Sequence, residues 1–185
     1  MRYHIRFGGE RQSGGKIMKW DEQGLGRSIR YAVVPRTLCF LVEGEEVLLL
    51  RGAADKPLWA GRLNGVGGHI EPGEDPLTNA RREVQEETGL VVRDLSLRAI
   101  VHIAASGAEQ GVMLFVFVGR APSRAVHASS EGELGWYPIN RLPWAELVDD
   151  LRELLPRVLG EGMSLVYGCY RADASGQMAF GFVDG

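Results

Sequence analysis

The stretch GHIEPGEDPLTNARREVQEETGL, Gly68 to Leu90, carries six carboxylates and two arginines. Glu83, Glu86 and Glu87 stand at i, i+3 and i+4, so on a helix they fall within an arc of about 100°. Leu77, Ala80 and Val84 form the adjoining apolar stripe, which sets the acid face at the edge of a core. Three like charges this close repel one another unless something positive lies between them. Mg²⁺ or Mn²⁺, hard cations that take oxygen ligands, suit such a face. The preceding loop offers Glu71, Glu74 and a backbone carbonyl at Gly68, where glycine lets the backbone approach closely. The plainer alternative is a solvated helix laced by salt bridges, Arg82 to Glu86 being one i, i+4 pair. A glycine-rich loop with two glutamates of its own weighs against that alternative.

The elements that would position these residues follow from pattern. Asp75 is a good N-cap, Pro76 a good first residue and Gly89 a good stop, so a helix is predicted over Pro76 to Thr88. Ahead of it, RTLCFLVEGEEVLLLRG reads as two strands turning at Glu43-Gly44-Glu45. AADKPLWAGRL and NGVGGHIEPGEDP are loops. Behind the helix, LSLRAIVHIAA and GVMLFVFVGRA read as an antiparallel pair, and GELGWYPI as a short strand. A second helix is predicted from Trp144 to Leu159, with Pro156 kinking it or marking a break. MSLVYGCYRA and QMAFGFVDG close the chain as a hairpin. Strands and helices mix without βαβ alternation, which favours an α+β or layered αβα fold. Gly65, Gly67 and Gly68 do not complete a GxGxxG, because Ile70 takes the last position, so a dinucleotide-binding sheet is disfavoured.

The 185 residues, 45% hydrophobic and 24% charged, suit one domain with a full core. Residues 1–30 are expected to be a loosely ordered arm, with Met18 as an alternative start, and residues 31–185 the domain. A net charge of -3 argues against a nucleic-acid clamp. Cys39 and Cys169 form no CxxC and no Cys/His pair, so neither a disulfide framework nor zinc is indicated, and a reducing, cytoplasmic compartment is expected. No apolar run suits a signal core or a membrane span. Among the histidines, His69 is read as a loop residue and His102 as a core residue; His4 and His127 carry no context.

The acidic stretch resembles the Nudix box: Gly, five residues, Glu, seven residues, then Arg-Glu-aliphatic-x-Glu-Glu-x-Gly-aliphatic. Gly68, Glu74, Arg82, Glu83, Val84, Glu86, Glu87, Gly89 and Leu90 supply it without departure. The resemblance implies the Nudix fold, a mixed sheet between helices, and hydrolysis of a nucleoside diphosphate linked to another group. It also implies that Glu83, Glu86 and Glu87, with the Gly68 carbonyl, hold Mg²⁺ or serve as base, while Arg82 braces a box glutamate. Glu83 is a base candidate, and Glu131 or Glu133, just before Trp136, competes for that role.

The flanks, GRLNGVGGHIEPGE and WYPINRLPWAELVDDLRELLPRVL, resemble the MutT-homologue branch that hydrolyses oxidised purine nucleoside triphosphates such as 8-oxo-dGTP. That likeness implies that Asn64 and the pair Asp149-Asp150 read the purine edge, with monophosphate and pyrophosphate as products. Two positions depart: Leu147 stands where that branch stacks an aromatic on the base, and Leu63 where it has a tryptophan. Trp59 or Trp144 offers a ring from another direction. Asn64 also suits a turn, and Asp150, with Glu153 three residues on, also suits a helix N-cap. An ADP-ribose or dinucleoside-polyphosphate hydrolase, or a non-catalytic nucleotide-sensing domain, is the alternative. The partner implied is a small nucleotide, with no nucleic acid and no membrane; the oligomeric state is left open.

Overall fold

The computed structural model describes residues 31–54, 59–105, 109–127, 131–160, 164–172 and 178–185. The expected arm, with Met18 and His4, lies outside the described residues.

The order is β1 (Ala32–Glu43), β2 (Glu46–Gly52), β3 (Leu63–Asn64), α1 (Pro76–Thr88), β4 (Leu95–Ala105), β5 (Gln110–Arg120), β6 (Gly132–Pro138), a 3₁₀ turn (Ile139–Arg141), α2 (Leu151–Val158), β7 (Val166–Ala172) and β8 (Met178–Asp184). One mixed sheet runs β3-β2-β1-β5-β4-β7-β8, with β6 also on β2. β1 lies parallel to β5 and β4 parallel to β7, while the hairpin partners are antiparallel. Leu48 pairs with both Leu41 and Trp136, and Leu50 with both Asn64 and Leu134. β1 and β3 therefore share one edge of β2 in succession, and β6 has the other.

The central strands are apolar throughout because both faces are covered. Leu38, Phe40, Val47 and Leu49 point into one core with Leu151, Leu154, Leu155 and Val158 of α2. Cys39, Leu41, Leu48 and Leu50 point into the other with Ala80 and Val84 of α1. This is the αβα layering expected. A bulge at Arg98, where the β4–β5 register shifts between Leu97 and Ala99, lets Leu95 face the α1 side and Ala99 and Val101 the α2 side.

α1 has the predicted bounds. The Asp75 carboxylate accepts from the N–H groups of Leu77 (2.9 Å) and Thr78 (3.0 Å), and Gly89 ends the helix at φ 76°. α2 is shorter than predicted. The Leu63 N–H donates to Glu146 O at 2.8 Å and the Val148 N–H to Leu63 O at 3.0 Å, so Leu147 is bridged to β3 after a turn over Trp144 to Glu146 and the segment is not helical. Pro156 sits in the final turn of α2. No described helix is long and apolar enough to cross a membrane.

Candidate active site

The loop after β3 is laid along β1. Val66 bridges Cys39 and His69 bridges Arg36, and the Thr37 N–H donates to Gly68 O at 2.9 Å. This close approach is what the glycines permit. Gly67 has φ 149°, and a Cβ there would collide with Thr37 O. A Cβ on Gly68 would stand 2.5 Å from Glu83 Oε1, so the missing side chain is the space in which the Glu83 carboxylate lies.

Arg82 organises the acids. Its Nε donates to Glu74 Oε1 at 2.8 Å and its Nη2 to Glu74 Oε2 at 3.0 Å, while Nη1 lies 2.9 Å from both Glu83 Oε1 and Glu86 Oε2. The Arg82 bonds, and after them the Asn79 amide, hold the Glu74 carboxyl down at about 2 against the opposing effect of burial. Glu74 is therefore the brace of this loop, its oxygens taken up by Arg82 and Asn79, rather than the spare ligand that its loop position suggests. Burial raises the Glu83 carboxyl above the usual carboxylate range, although Arg82 pulls it back. Glu87, only 8% exposed, accepts the Gly67 N–H at 3.1 Å. Beneath them burial pushes the Cys39 thiol up strongly, and the charges of Glu87 and Glu83 push it further.

Among the described residues no three His, Cys, Asp or Glu side chains are gathered closely enough to hold a metal ion. Glu86 is turned to Arg82 and largely exposed. The donor chemistry nevertheless fits a hard divalent cation: every donor is an oxygen, Glu83 and Glu87 are drawn out of water, and the Gly68 carbonyl has a second lone pair beyond the Thr37 bond. Glu86 would complete the set by leaving Arg82.

The other expected residues lie elsewhere. Glu133 pairs with Arg51, next to Leu134 opposite Leu50. Leu50 and Leu134 pack on the α1 side, so strand alternation turns Glu133 to the opposite face. Glu131 is half-buried, its carbonyl bonded to the Ala53 N–H at 3.0 Å. Asn64 accepts its neighbour's Gly65 N–H at 2.8 Å and lies beside the Glu146 to Val148 segment, which brings it near Asp149. Asp149 pairs with Arg62 Nη2 at 2.6 Å. Asp150 stands at the N-cap position of α2 in helical conformation, and its side chain caps nothing. Burial raises its carboxyl above the usual range, with its own backbone and Tyr170 pulling the other way. Leu63 and Leu147 are wholly buried in the α2-side core, Trp59 packs against the α1-side core, and Trp144 is exposed.

Sequence reasoning missed Asn79 and Arg62. Asn79 is fully buried: Thr37 Oγ1 donates to its Oδ1 at 2.6 Å, and its Nδ2 donates to His69 O at 2.6 Å and Glu74 Oε2 at 2.9 Å. It staples β1, loop and helix together. Its one local signal was its position beside Ala80 on the face that α1 buries.

The model of the NUDIX domain matches residues 33–158. The chain belongs to the Nudix family. It is a Nudix hydrolase, acting on phosphoric anhydride bonds, and Nudix hydrolases generally use divalent metal ions such as Mg²⁺. It is 28% identical over 123 residues to a mouse oxidized purine nucleoside triphosphate hydrolase, covering 66% of this chain and 78% of that protein. A mouse 8-oxo-dGDP phosphatase is 27% identical over 156 residues, covering 77% of this chain and 46% of that longer protein. Among solved structures, a MutT protein from Bacillus halodurans superposes with a TM-score of 0.69 at 25% identity, covering 80% of this chain and 97% of that one.

Proposed function

We propose that this Nudix hydrolase cleaves an oxidised purine nucleoside triphosphate such as 8-oxo-dGTP, with Mg²⁺, to the monophosphate and pyrophosphate. Glu83, Glu86, Glu87 and the Gly68 carbonyl would hold the metal, which would supply neutralisation of phosphate charge and polarisation of a phosphoryl oxygen. Glu83 takes a proton from the attacking water at a carboxylate oxygen, a role its burial and raised pKa support. The water oxygen forms the new bond to phosphorus as the anhydride P–O bond breaks and pyrophosphate departs. Glu131 is the alternative base; Glu133 is less well placed, on the other face of the sheet. Arg82 holds the acids in place and touches no reacting atom.

The observation that carries the substrate is Asp150. A half-buried carboxyl with a raised pKa and no capping duty is suited to donate from its protonated form to a base acceptor, with Asn64 and Asp149 on the adjoining segment. The likeness to the mouse oxidized purine nucleoside triphosphate hydrolase points the same way. The reading includes a reducing, cytoplasmic setting, which the free cysteines Cys39 and Cys169 support.

The likeness to the mouse 8-oxo-dGDP phosphatase favours a second reading, in which the substrate is the diphosphate. The test is incubation with Mg²⁺ and 8-oxo-dGTP, 8-oxo-dGDP, dGTP, dATP, dCTP, ADP-ribose and diadenosine polyphosphate, resolving products by chromatography, with E87Q as control. Preference for 8-oxo-dGTP with release of pyrophosphate is expected. Preference for 8-oxo-dGDP with release of phosphate selects the second reading, and preference for ADP-ribose or the dinucleotide overturns both. No turnover at all would point to a nucleotide-sensing domain.

A further inference from the structure

A single guanidinium joins the end of β3 to the turn that carries Asp149. Arg62 donates to Leu147 O from Nε at 3.0 Å and from Nη2 at 2.6 Å, and the same Nη2 donates to Asp149 Oδ1 at 2.6 Å. Its own backbone is fixed on both sides: the Arg62 N–H donates to Trp59 O at 2.9 Å, and Arg62 O accepts the Gly52 N–H at 3.0 Å. The receiving segment is held by little else. The bridge to Leu63 uses Glu146 O and the Val148 N–H, which leaves Leu147 O to Arg62. Glu146 is tied separately, by Arg51 Nη2 at 2.5 Å. Asp149 and Asp150 then lie in the turn before α2, where neither helix nor strand register places a side chain. An exposed ion pair alone is worth little, and the Asp149 side chain is 78% exposed. This pair differs because the same fork also fixes a main-chain carbonyl two residues back. Among the described residues Asp149 Oδ2 has no protein partner, so the fork engages one carboxylate oxygen and spares the other.

We propose that Arg62 is a positioning residue for base recognition: its fork on Leu147 O sets the turn, and its bond to Asp149 Oδ1 leaves Oδ2 to accept an N–H from the edge of a purine. The proposal rests on the reading of Asp149 as a base-contacting group. An ion-paired carboxylate accepts and does not donate, so the base must bring the hydrogen. Guanine and its 8-oxo form carry such N–H groups. Arg62 acts through Asp149 and has no part in the phosphate chemistry. Because the fork is made in the folded chain, an otherwise exposed side chain is already ordered when the nucleotide arrives.

The test uses the full chain with R62M, R62K, D149N and the R62M/D149N double variant. Dissociation constants for 8-oxo-dGMP are measured by calorimetry, with KM and kcat for whichever of 8-oxo-dGTP and 8-oxo-dGDP is cleaved. R62M keeps the aliphatic stem and loses the fork. It should weaken 8-oxo-dGMP binding about tenfold and raise KM with little change in kcat. R62K keeps the charge one bond short of the fork, so it should fold like wild type and weaken binding about threefold. It takes the place of R62M should that variant not fold. In D149N the amide's one oxygen is held by Arg62 and its N–H₂ is turned to the base N–H, so binding should fall at least as far as in R62M. Adding R62M frees that amide to turn over, and should weaken binding no further. Wild-type binding by either folded Arg62 variant, a fall in kcat with KM unmoved, or an undiminished effect in the D149N background overturns the role of Arg62 and leaves the base reading intact. Wild-type binding by D149N, or no binding of 8-oxo-dGMP by the wild-type chain, overturns the base reading itself and this inference with it.

Discussion

Arg82 holds Glu74 through both carboxylate oxygens, Nε to Oε1 at 2.8 Å and Nη2 to Oε2 at 3.0 Å. This fork ties the loop after β3 to α1 across eight residues of chain, and it leaves Nη1 to reach Glu83 and Glu86. E74Q keeps the shape and removes the charge. It should destabilise the fold by about 2 kcal/mol, lowering the melting temperature by roughly 4–8 °C, as read by calorimetry.

The same pair has a pH signature. The Glu74 carboxyl is held down at about 2 from an ordinary value of 4.5, so the folded chain binds this proton less readily than the unfolded one. Its contribution is present in full above the unfolded value and is lost as pH falls through the folded one. The gap in melting temperature between wild type and E74Q should close as pH is lowered from 4.5 to about 2. A gap that stays constant down to the lower limit would show that Glu74 titrates normally.

Asn79 makes three hydrogen bonds in a fully buried place, and N79A leaves Thr37 Oγ1 without its acceptor and His69 O with only the long bond from Arg82 Nη2 at 3.4 Å. The loss should be about 3 kcal/mol, larger than for E74Q, because unsatisfied buried groups remain. Activity should fall as well, since the loop that carries Gly67 and Gly68 loses its anchor to α1. Thermal melts and a steady-state assay on the same preparation would check both.

Gly68 is a position where stability and activity should separate. G68A would press its Cβ on the Glu83 carboxylate, which is the end of a flexible side chain and can move. The fold should survive with a melting temperature within a few degrees of wild type, while turnover should drop by roughly a hundredfold, the scale expected of the base proposed at Glu83. Circular dichroism alongside the assay distinguishes this from simple unfolding.

Metal binding can be read without turnover. A cation that binds only the folded chain raises its stability by about 2.7 kcal/mol at one hundred times its dissociation constant. Mg²⁺ should therefore raise the melting temperature of wild type and leave that of the E86Q/E87Q double variant unmoved. An equal rise in both would remove these carboxylates from the metal site.

Much of the site was legible because its order is local. Arg82, Glu83 and Glu86 meet at i, i+1 and i+4 on one helix, and Asp75 and Gly89 cap that helix by bonds that span a few residues. The reach of Trp144 to Leu159 as a helix failed for the opposite reason. Its apolar spacing fits, yet Glu146 to Val148 is taken by Leu63, more than eighty residues away in sequence. The same pairing explains why Leu147 reads as a misplaced ring position and is in fact core.

The sequence by itself determined the box helix, its caps and the family, because short-range spacing specifies which side chains share a face. Tertiary structure alone decided what lies opposite that face. It turned Glu133 away, seated Asn79 between three elements and joined Arg62 to Asp149. These meetings depend on strand register and on which residue a distant segment presents, and a single residue of slip would exchange every face.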